Sequence, residues 1–344
     1  MNQERISESS RLLFGLMVGL TLIVVMMVVS IFLATRRPVV VVLPGGAGSG
    51  SETPLAGGSP TGPSPSGPPA EVKPIEEVSV TKLDSLPVID NPLDPLWDRV
   101  RPQEITLAPQ QVAEPTLMTG TVSKIQVQAA HDGSRYLWRL SWPQETPSVE
   151  SSFATFSDAV AIQFPLVDGA PYTMGGPNQP VAIFYWRALW QLDVDAGFQD
   201  TVVTRPNAYN DFYWFADQTG PVSAVDLATN ADPMAMQWMI AAKSNNPMAD
   251  FGRKCPMEEL KAHGFGTSTH VSSKSGPGNA RGVWHEGRWY VVFERQVTES
   301  EILFQRFKEN PQQQLIAFAV WDGQAQNRGG QKNISNWIPM RITP

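Results

Sequence analysis

The hydrophobic pattern of the chain changes character twice before it settles. Residues 12–34, from Leu12-Leu13-Phe14 to Phe32-Leu33-Ala34, carry no charge. A helix of ~20 such residues crosses the hydrocarbon core of a bilayer, and the run exceeds the ~7–15 apolar residues of a signal peptide. With no small-x-small cleavage site before Thr35, the pattern predicts an uncleaved transmembrane helix over 12–34 behind a tail over 1–11. From Pro44 to Pro74 the chain turns to Gly, Ser and Pro. Such a stretch has too little apolar surface to offset its ordering entropy, so residues 35–87 are expected to be a disordered linker. Its Gly-rich part is flexible and its Pro-rich part extended, a tether that holds a domain away from the membrane.

From about Val88 onward the pattern is that of strands. Runs rich in Val, Ile, Trp, Tyr and Phe recur over 121–128, 135–142, 158–164, 181–192, 282–295 and 314–321, bounded by Gly, Pro, Asn and Asp. His131-Asp132-Gly133 carries the Asp-Gly signature of a tight hairpin between the first two. One soluble helix is punctuated at both ends. Pro256 opens it, Glu258 and Glu259 sit in its first turn, Lys261 and His263 near its end, and Gly264 stops it. The expectation is a mainly β domain over 88–344, an antiparallel β-sandwich with short helices in its loops.

Composition narrows the chemistry. With 344 residues, 42% of them hydrophobic, the chain can bury a large core. A net charge of -7 with no basic stripe excludes a nucleic-acid partner. A single cysteine, Cys255, rules out an internal disulfide and every Cys-x-x-Cys device, including c-type haem attachment. Only four His are present, so a metal site would draw on other ligands. The charges flanking the apolar run, Arg5 and Arg11 against Arg36 and Arg37, leave its orientation undecided.

Two residues stand out. Met174, followed by Gly175-Gly176-Pro177, lies in a turn before the strand that begins at Val181. A thioether there, with glycines removing bulk, can face an iron centre while a planar macrocycle lies against the backbone; taken alone, it equally reads as a methionine filling a core gap. Lys332 stands in Arg328-Gly329-Gly330-Gln331-Lys332-Asn333-Ile334-Ser335. A lysine amine binds metal only when deprotonated, which burial among aromatics favours; taken alone, it equally reads as a solvated loop lysine.

Several stretches appear together in one order: Leu93-Asp94-Pro95-Leu96-Trp97-Asp98, residues 156–165, 172–188, 257–267, 282–295 and 317–337. In this the chain, from about Asn91 to its end, resembles the haem-b-binding gamma subunit of ethylbenzene dehydrogenase. That subunit is similar to those of dimethylsulfide dehydrogenase, chlorate and selenate reductases and nitrite oxidoreductase. The resemblance implies one non-covalent haem b, with Met174 and Lys332 at the positions of the family's Met and Lys axial ligands. It also implies an iron–sulfur beta subunit and a molybdopterin alpha subunit as partners, an external carrier such as a cytochrome c, and a domain on the extracytoplasmic side. The chain departs from the family pattern at Phe184-Tyr185-Trp186, where Trp-x-Trp is usual, in the long stretch 199–279, and in its anchor and tether.

Two rival classes follow from the residues. The aromatic strand Phe184-Tyr185-Trp186-Arg187-Ala188-Leu189-Trp190 can line a sugar groove, as in a surface-anchored carbohydrate-binding module without haem, although alternation places half of it in a core. Cys255 with His263 or His270 offers a thiol nucleophile, with no third orienting group in sight. His131 and His285, in His-Asp-Gly and His-Glu-Gly turns, are expected in solvated loops.

Overall fold

The computed structural model describes residues 76–151, 154–207, 240–244, 246–271 and 278–344. The expected membrane helix over 12–34 and the tether up to residue 75 lie outside the described residues. Among the described residues, no helix is long and apolar enough to cross a membrane.

The body is mainly β. Its strands are β1 (Val78–Lys82), β2 (Gln103–Thr106), β3 (Ala108–Pro109), β4 (Lys124–His131), β5 (Arg135–Pro143), β6 (Ala159–Pro165) and β7 (Val181–Arg187), then β8 (Met257–Ala262), β9 (Thr269–His270), β10 (Gly278–His285), β11 (Arg288–Gln296), β12 (Gln314–Trp321), β13 (Asn333–Ile334) and β14 (Ile338–Ile342). They join in the order β10-β11-β5-β4-β1-β14-β12-β6-β7-β8-β9, with β2, β3 and β13 attached at the side. Among the described residues, two α-helices are eight residues or longer, α1 (Ala188–Ala196) and α2 (Ile302–Glu309).

Strand β12 changes partners midway. Gln314, Leu315 and Ile316 pair with β14, whereas Ala317 to Trp321 pair with β6. On the far side of this handover, Trp138 of β5 meets Phe164 of β6 and Phe184 of β7 with ring centroids 5.2 and 6.3 Å apart. These rings belong to the largest apolar cluster, with Trp142, Trp186, Val291 and Ile316. Burial of that many large side chains, at ~1.5–3 kcal/mol each, is the main favourable contribution to the fold.

Several expectations change. The sheet is mixed, because β1 pairs in parallel with both β14 and β4. β1 also lies inside the stretch 35–87, so the folded body starts upstream of Val88. The segment expected as a helix around Glu258 is strand β8, paired with β7 from Met257↔Trp186 to Ala262↔Val181. Its acids are not first-turn residues on a solvated helix. Glu258 bonds Arg253 at 3.1 Å and Glu259 bonds Arg295 at 2.5 Å, all four side chains buried. Tertiary pairing overrode terminal punctuation that had no periodic apolar stripe behind it.

The run 181–192 stops being a strand at Arg187 and continues as α1. The run 282–295 is a hairpin turning at Glu286-Gly287, both at positive φ. The hairpin at Asp132-Gly133 stands as expected, but His131 is buried beside it, stacked on Tyr136 and bonded through Nε2 to the Thr343 carbonyl at 2.8 Å.

Candidate functional site

Strand alternation builds a second face on β12, β6, β7 and β8. Val160, Ile162 and Phe164, with Ile316, Phe318 and Val320, point into the large cluster; the residues between them point the other way. Register sets those in two cross-strand rows, Ala319-Ala161-Tyr185 and Ala317-Gln163-Ile183-Leu260. Three of the seven are alanine, so the floor is low where neighbouring positions are tall. Above it opens a largely apolar cavity of about 430 Å³, bounded by Tyr185, Trp321, Ile183 and Leu260 and at its mouth by Phe265, Gly266 and Ser268. That is within the ~300–1,000 Å³ of ligand and cofactor pockets.

Two loops close the cavity. The first carries Met174. Gln163 Nε2 donates to the Tyr172 carbonyl at 2.9 Å, and Gly175 N–H to that of Pro171 at 2.9 Å. Gly176 and Gln179 exchange backbone bonds at 3.0 and 2.9 Å, and the Met174 carbonyl accepts from Gly264 N–H at 2.8 Å. Met174 itself has φ 67°, a left-handed conformation that a long side chain rarely adopts. A Cβ at Gly175 would lie 2.5 Å from the Gln179 carbonyl, so only glycine passes there. The strain at Met174 is held by these surroundings, the pattern seen at functional positions.

The second loop carries Lys332. Trp321 Nε1 donates to the Gly329 carbonyl at 2.9 Å, and Gln110 N–H to that of Lys332 at 2.9 Å. The next residue, Asn333, is fully buried, with Thr121 N–H donating to its Oδ1 at 3.0 Å and its Nδ2 donating to Thr121 Oγ1 at 2.9 Å. So held, Lys332 sends its amine into the cavity.

There Lys332 Nζ lies 3.8 Å from Met174 Sδ and 5.0 Å from the centre of the Trp321 indole. Residues 158 positions apart in the chain thus meet head to head. Burial alone draws the amine down from the usual 10.5 to about 8. Exposed Glu114, the acid on the cavity lining, does not offset it. The lowered pKa weakens proton competition for the amine lone pair. A soft thioether and an amine of lowered basicity form a donor pair suited to a transition metal, a choice hard oxygen-seeking cations do not share. Met174 and Lys332 are the two side chains that would hold such a metal in this cavity.

The other candidates disperse. Cys255 and His263 flank opposite ends of β8, so six strand residues at ~3.4 Å each separate them. Cys255 is half-buried against Asn279 Oδ1 at 3.3 Å, its thiol pushed up by burial and therefore less nucleophilic. His270 Nδ1 is bound to Glu258. His285 is exposed beside Glu286, as expected. Of the aromatic strand, Phe184 and Trp186 enter the core and Tyr185 faces the cavity. Among the described residues no cluster of three or more His, Cys, Asp or Glu could hold a metal ion.

The alanine floor was not singled out from the sequence, nor were Trp321 and Gln110. Its signal was present as small-large alternation in Ala159-Val160-Ala161-Ile162 and Ala317-Phe318-Ala319-Val320. Gln110 had none, because its role depends on a contact with residues far along the chain.

Fold and site together define a β-rich domain with an apolar cavity on one sheet face, closed by an opposed thioether and amine. Residues 94–333 match the family model described as ethylbenzene dehydrogenase, and the chain belongs to that family. It is 24% identical over 275 residues to a Haloferax mediterranei protein bearing the name respiratory nitrate reductase heme subunit, across 79% of this chain and 75% of that one. In structure it is similar to a carbohydrate-binding protein of Bacteroides uniformis, with TM-score 0.39 and 9% identity over 78% of this chain and 99% of the other. A family 9 carbohydrate-binding module of Caldicellulosiruptor kristjanssonii, in complex with glucose, aligns at TM-score 0.33 and 9% identity over 78% and 95%.

Proposed function

We propose that this chain is a haem b electron-transfer subunit of a molybdopterin oxidoreductase complex of the nitrate or nitrite oxidoreductase kind, with Met174 and Lys332 as the axial ligands of one haem. The observation that carries the reading is the 3.8 Å approach of Lys332 Nζ to Met174 Sδ within the apolar cavity. Family membership and the relative's name support it. Haem b supplies a one-electron relay when bound. The residues supply the rest. Met174 and Lys332 would both hold the iron, which would leave no position open for substrate, and a thioether would favour a raised potential. The alanine floor admits a flat group, and the apolar walls keep water from it. This subunit then conducts without performing bond chemistry.

The reading extends to the whole chain. Residues 12–34 anchor it in the membrane with the body on the extracytoplasmic side, and the Gly/Pro-rich tether ends before β1. The body is a sandwich whose layers fold over one another at β12, supported by the contacts of Trp138 with Phe164 and Phe184. Its partners are an iron–sulfur beta subunit, a molybdopterin alpha subunit beyond it and an external carrier such as a cytochrome c.

The test is a pyridine haemochrome assay with oxidised and reduced spectra on the full chain supplied with haem, beside Met174→Ala and Lys332→Ala. One haem b per chain, six-coordinate and low-spin, with the low-spin signature lost in each variant, is expected. Wild-type chain that stays colourless, also when co-expressed with partner subunits, and binds oligosaccharide overturns the reading in favour of a carbohydrate-binding module.

A further inference from the structure

One buried side chain ties the segment at Val112 and Ala113 to the Lys332 loop and is no part of the donor pair. Gln110 follows β3 and is 3% exposed. Its Oε1 accepts from Val112 N–H at 2.6 Å and Ala113 N–H at 2.8 Å. Its Nε2 donates to the Ala113 carbonyl at 2.9 Å and, across to the other loop, to the Gly330 carbonyl at 2.8 Å. Its backbone N–H donates to the Lys332 carbonyl at 2.9 Å. The same residue therefore holds Gly330 through its side chain and Lys332 through its main chain. The fit is close on both sides, since a Cβ at Gly330 would lie 2.7 Å from the Pro115 carbonyl.

Ordinary loop packing does not require this arrangement. A carboxamide with both its donor and its acceptor used, buried beside a cavity it also lines, over-determines the backbone on either side of one flexible lysine stem. A long side chain whose base is so fixed loses less freedom when its amine binds. We propose that Gln110 is a positioning residue that keeps the Lys332 amine on its target and so guards the Lys side of the haem against competing ligands. This rests on the haem reading above.

The test is the rate at which imidazole displaces the native ligand in the full chain loaded with haem b and reduced, where the soft thioether is the better-held donor and the amine the more labile one, followed by absorption. Gln110→Glu keeps an acceptor for the Val112 and Ala113 N–H groups but removes the donor to Gly330; Gly330→Ala pushes the loop from the other side. Each is expected to take up imidazole at least tenfold faster than wild type while retaining haem. A merely structural role would lower the melting temperature and leave that rate alone. Wild-type rates in both variants, or in Gly330→Ala where Gln110→Glu does not fold, overturn the inference. A Lys332→Ala chain that binds imidazole no faster than wild type overturns the haem-ligand reading instead.

Discussion

Trp321 ends strand β12 with its indole 5.0 Å beneath the Lys332 amine, while its Nε1–H donates to the Gly329 carbonyl three residues before that lysine. One side chain thus serves both as wall of the cavity and as anchor of the loop above it. Trp321→Leu stays apolar but removes the bond, the ring face and part of the bulk. A loss of ~1–2 kcal/mol is expected from the orphaned carbonyl and the missing cation–π contact. Thermal melts of the haem-free chain check the stability, and haem titration should show weaker uptake.

Lys332→Leu separates stability from function. The ammonium costs the haem-free fold because it is desolvated without a carboxylate partner. Replacement by an apolar chain that carries no donor atom is expected to raise stability by ~1–3 kcal/mol at pH 7 while abolishing six-coordinate haem. Urea denaturation of the haem-free chain measures the first and the reduced spectrum the second. A variant that is less stable without haem would place the lysine among ordinary structural contacts.

How far the sequence anticipated this body is clearest at β8. Pro256, the two glutamates and Gly264 all carried helix-end signals, yet the segment is a buried strand, because what decides it is pairing with β7 and the partners Arg253 and Arg295. The strand runs over 121–128, 135–142, 158–164 and 314–321 were legible, since alternation and turn residues are local. The family was legible from segments in order, and the match over 94–333 bears it out. That Met174 and Lys332 would meet followed from the resemblance alone. Neither the left-handed backbone at Met174 nor the clamp at Gln110 has a local signature, as both are imposed by contacts distant in sequence.

Asp158 should leave a mark on the pH profile. It is fully buried, and its carboxylate accepts from Ser148 N–H, Trp289 Nε1–H and Gly323 N–H, each at 2.8 Å, without a cation. Burial pushes it up from 3.8 to about 6. The folded state therefore binds the proton more tightly than the unfolded one between these values, so this residue makes stability fall as pH rises from 3.8 to 6. Asp158→Asn should remove that slope from the melting temperature. It should also cost ~1–3 kcal/mol at neutral pH, because its NH₂ group confronts an N–H donor where an acceptor stood.

Gly175→Ala tests whether the Met174 loop must be held as it is. Gly175 has φ 74°, and the added Cβ would lie 2.5 Å from the Gln179 carbonyl and 3.1 Å from that of Ala262. Neither contact is the soft end of a side chain, so the loop has to shift. A destabilisation of ~1–3 kcal/mol is expected from strain and conformation together. Met174 is the neighbouring residue, so ferric spectra should show partial high-spin character at full haem loading.

Filling the floor distinguishes a cavity that serves a ligand from one tolerated by the fold. Ala161 is 5% exposed at the centre of the row Ala319-Ala161-Tyr185, and its methyl points into the open space. In Ala161→Leu the new side chain occupies that space without disturbing Val160 or Ile162, which face the main core. Apolar surface gained there is expected to leave the haem-free chain within ~1 kcal/mol of wild type or slightly above it. Haem uptake should fall at least tenfold, because the leucine would fill cavity space that the haem needs beside Met174 and Lys332. Isothermal titration with haem, beside a melt of the haem-free variant, reads both quantities. Unchanged uptake would mean that the flat group sits elsewhere, and the floor of alanines would then need another explanation.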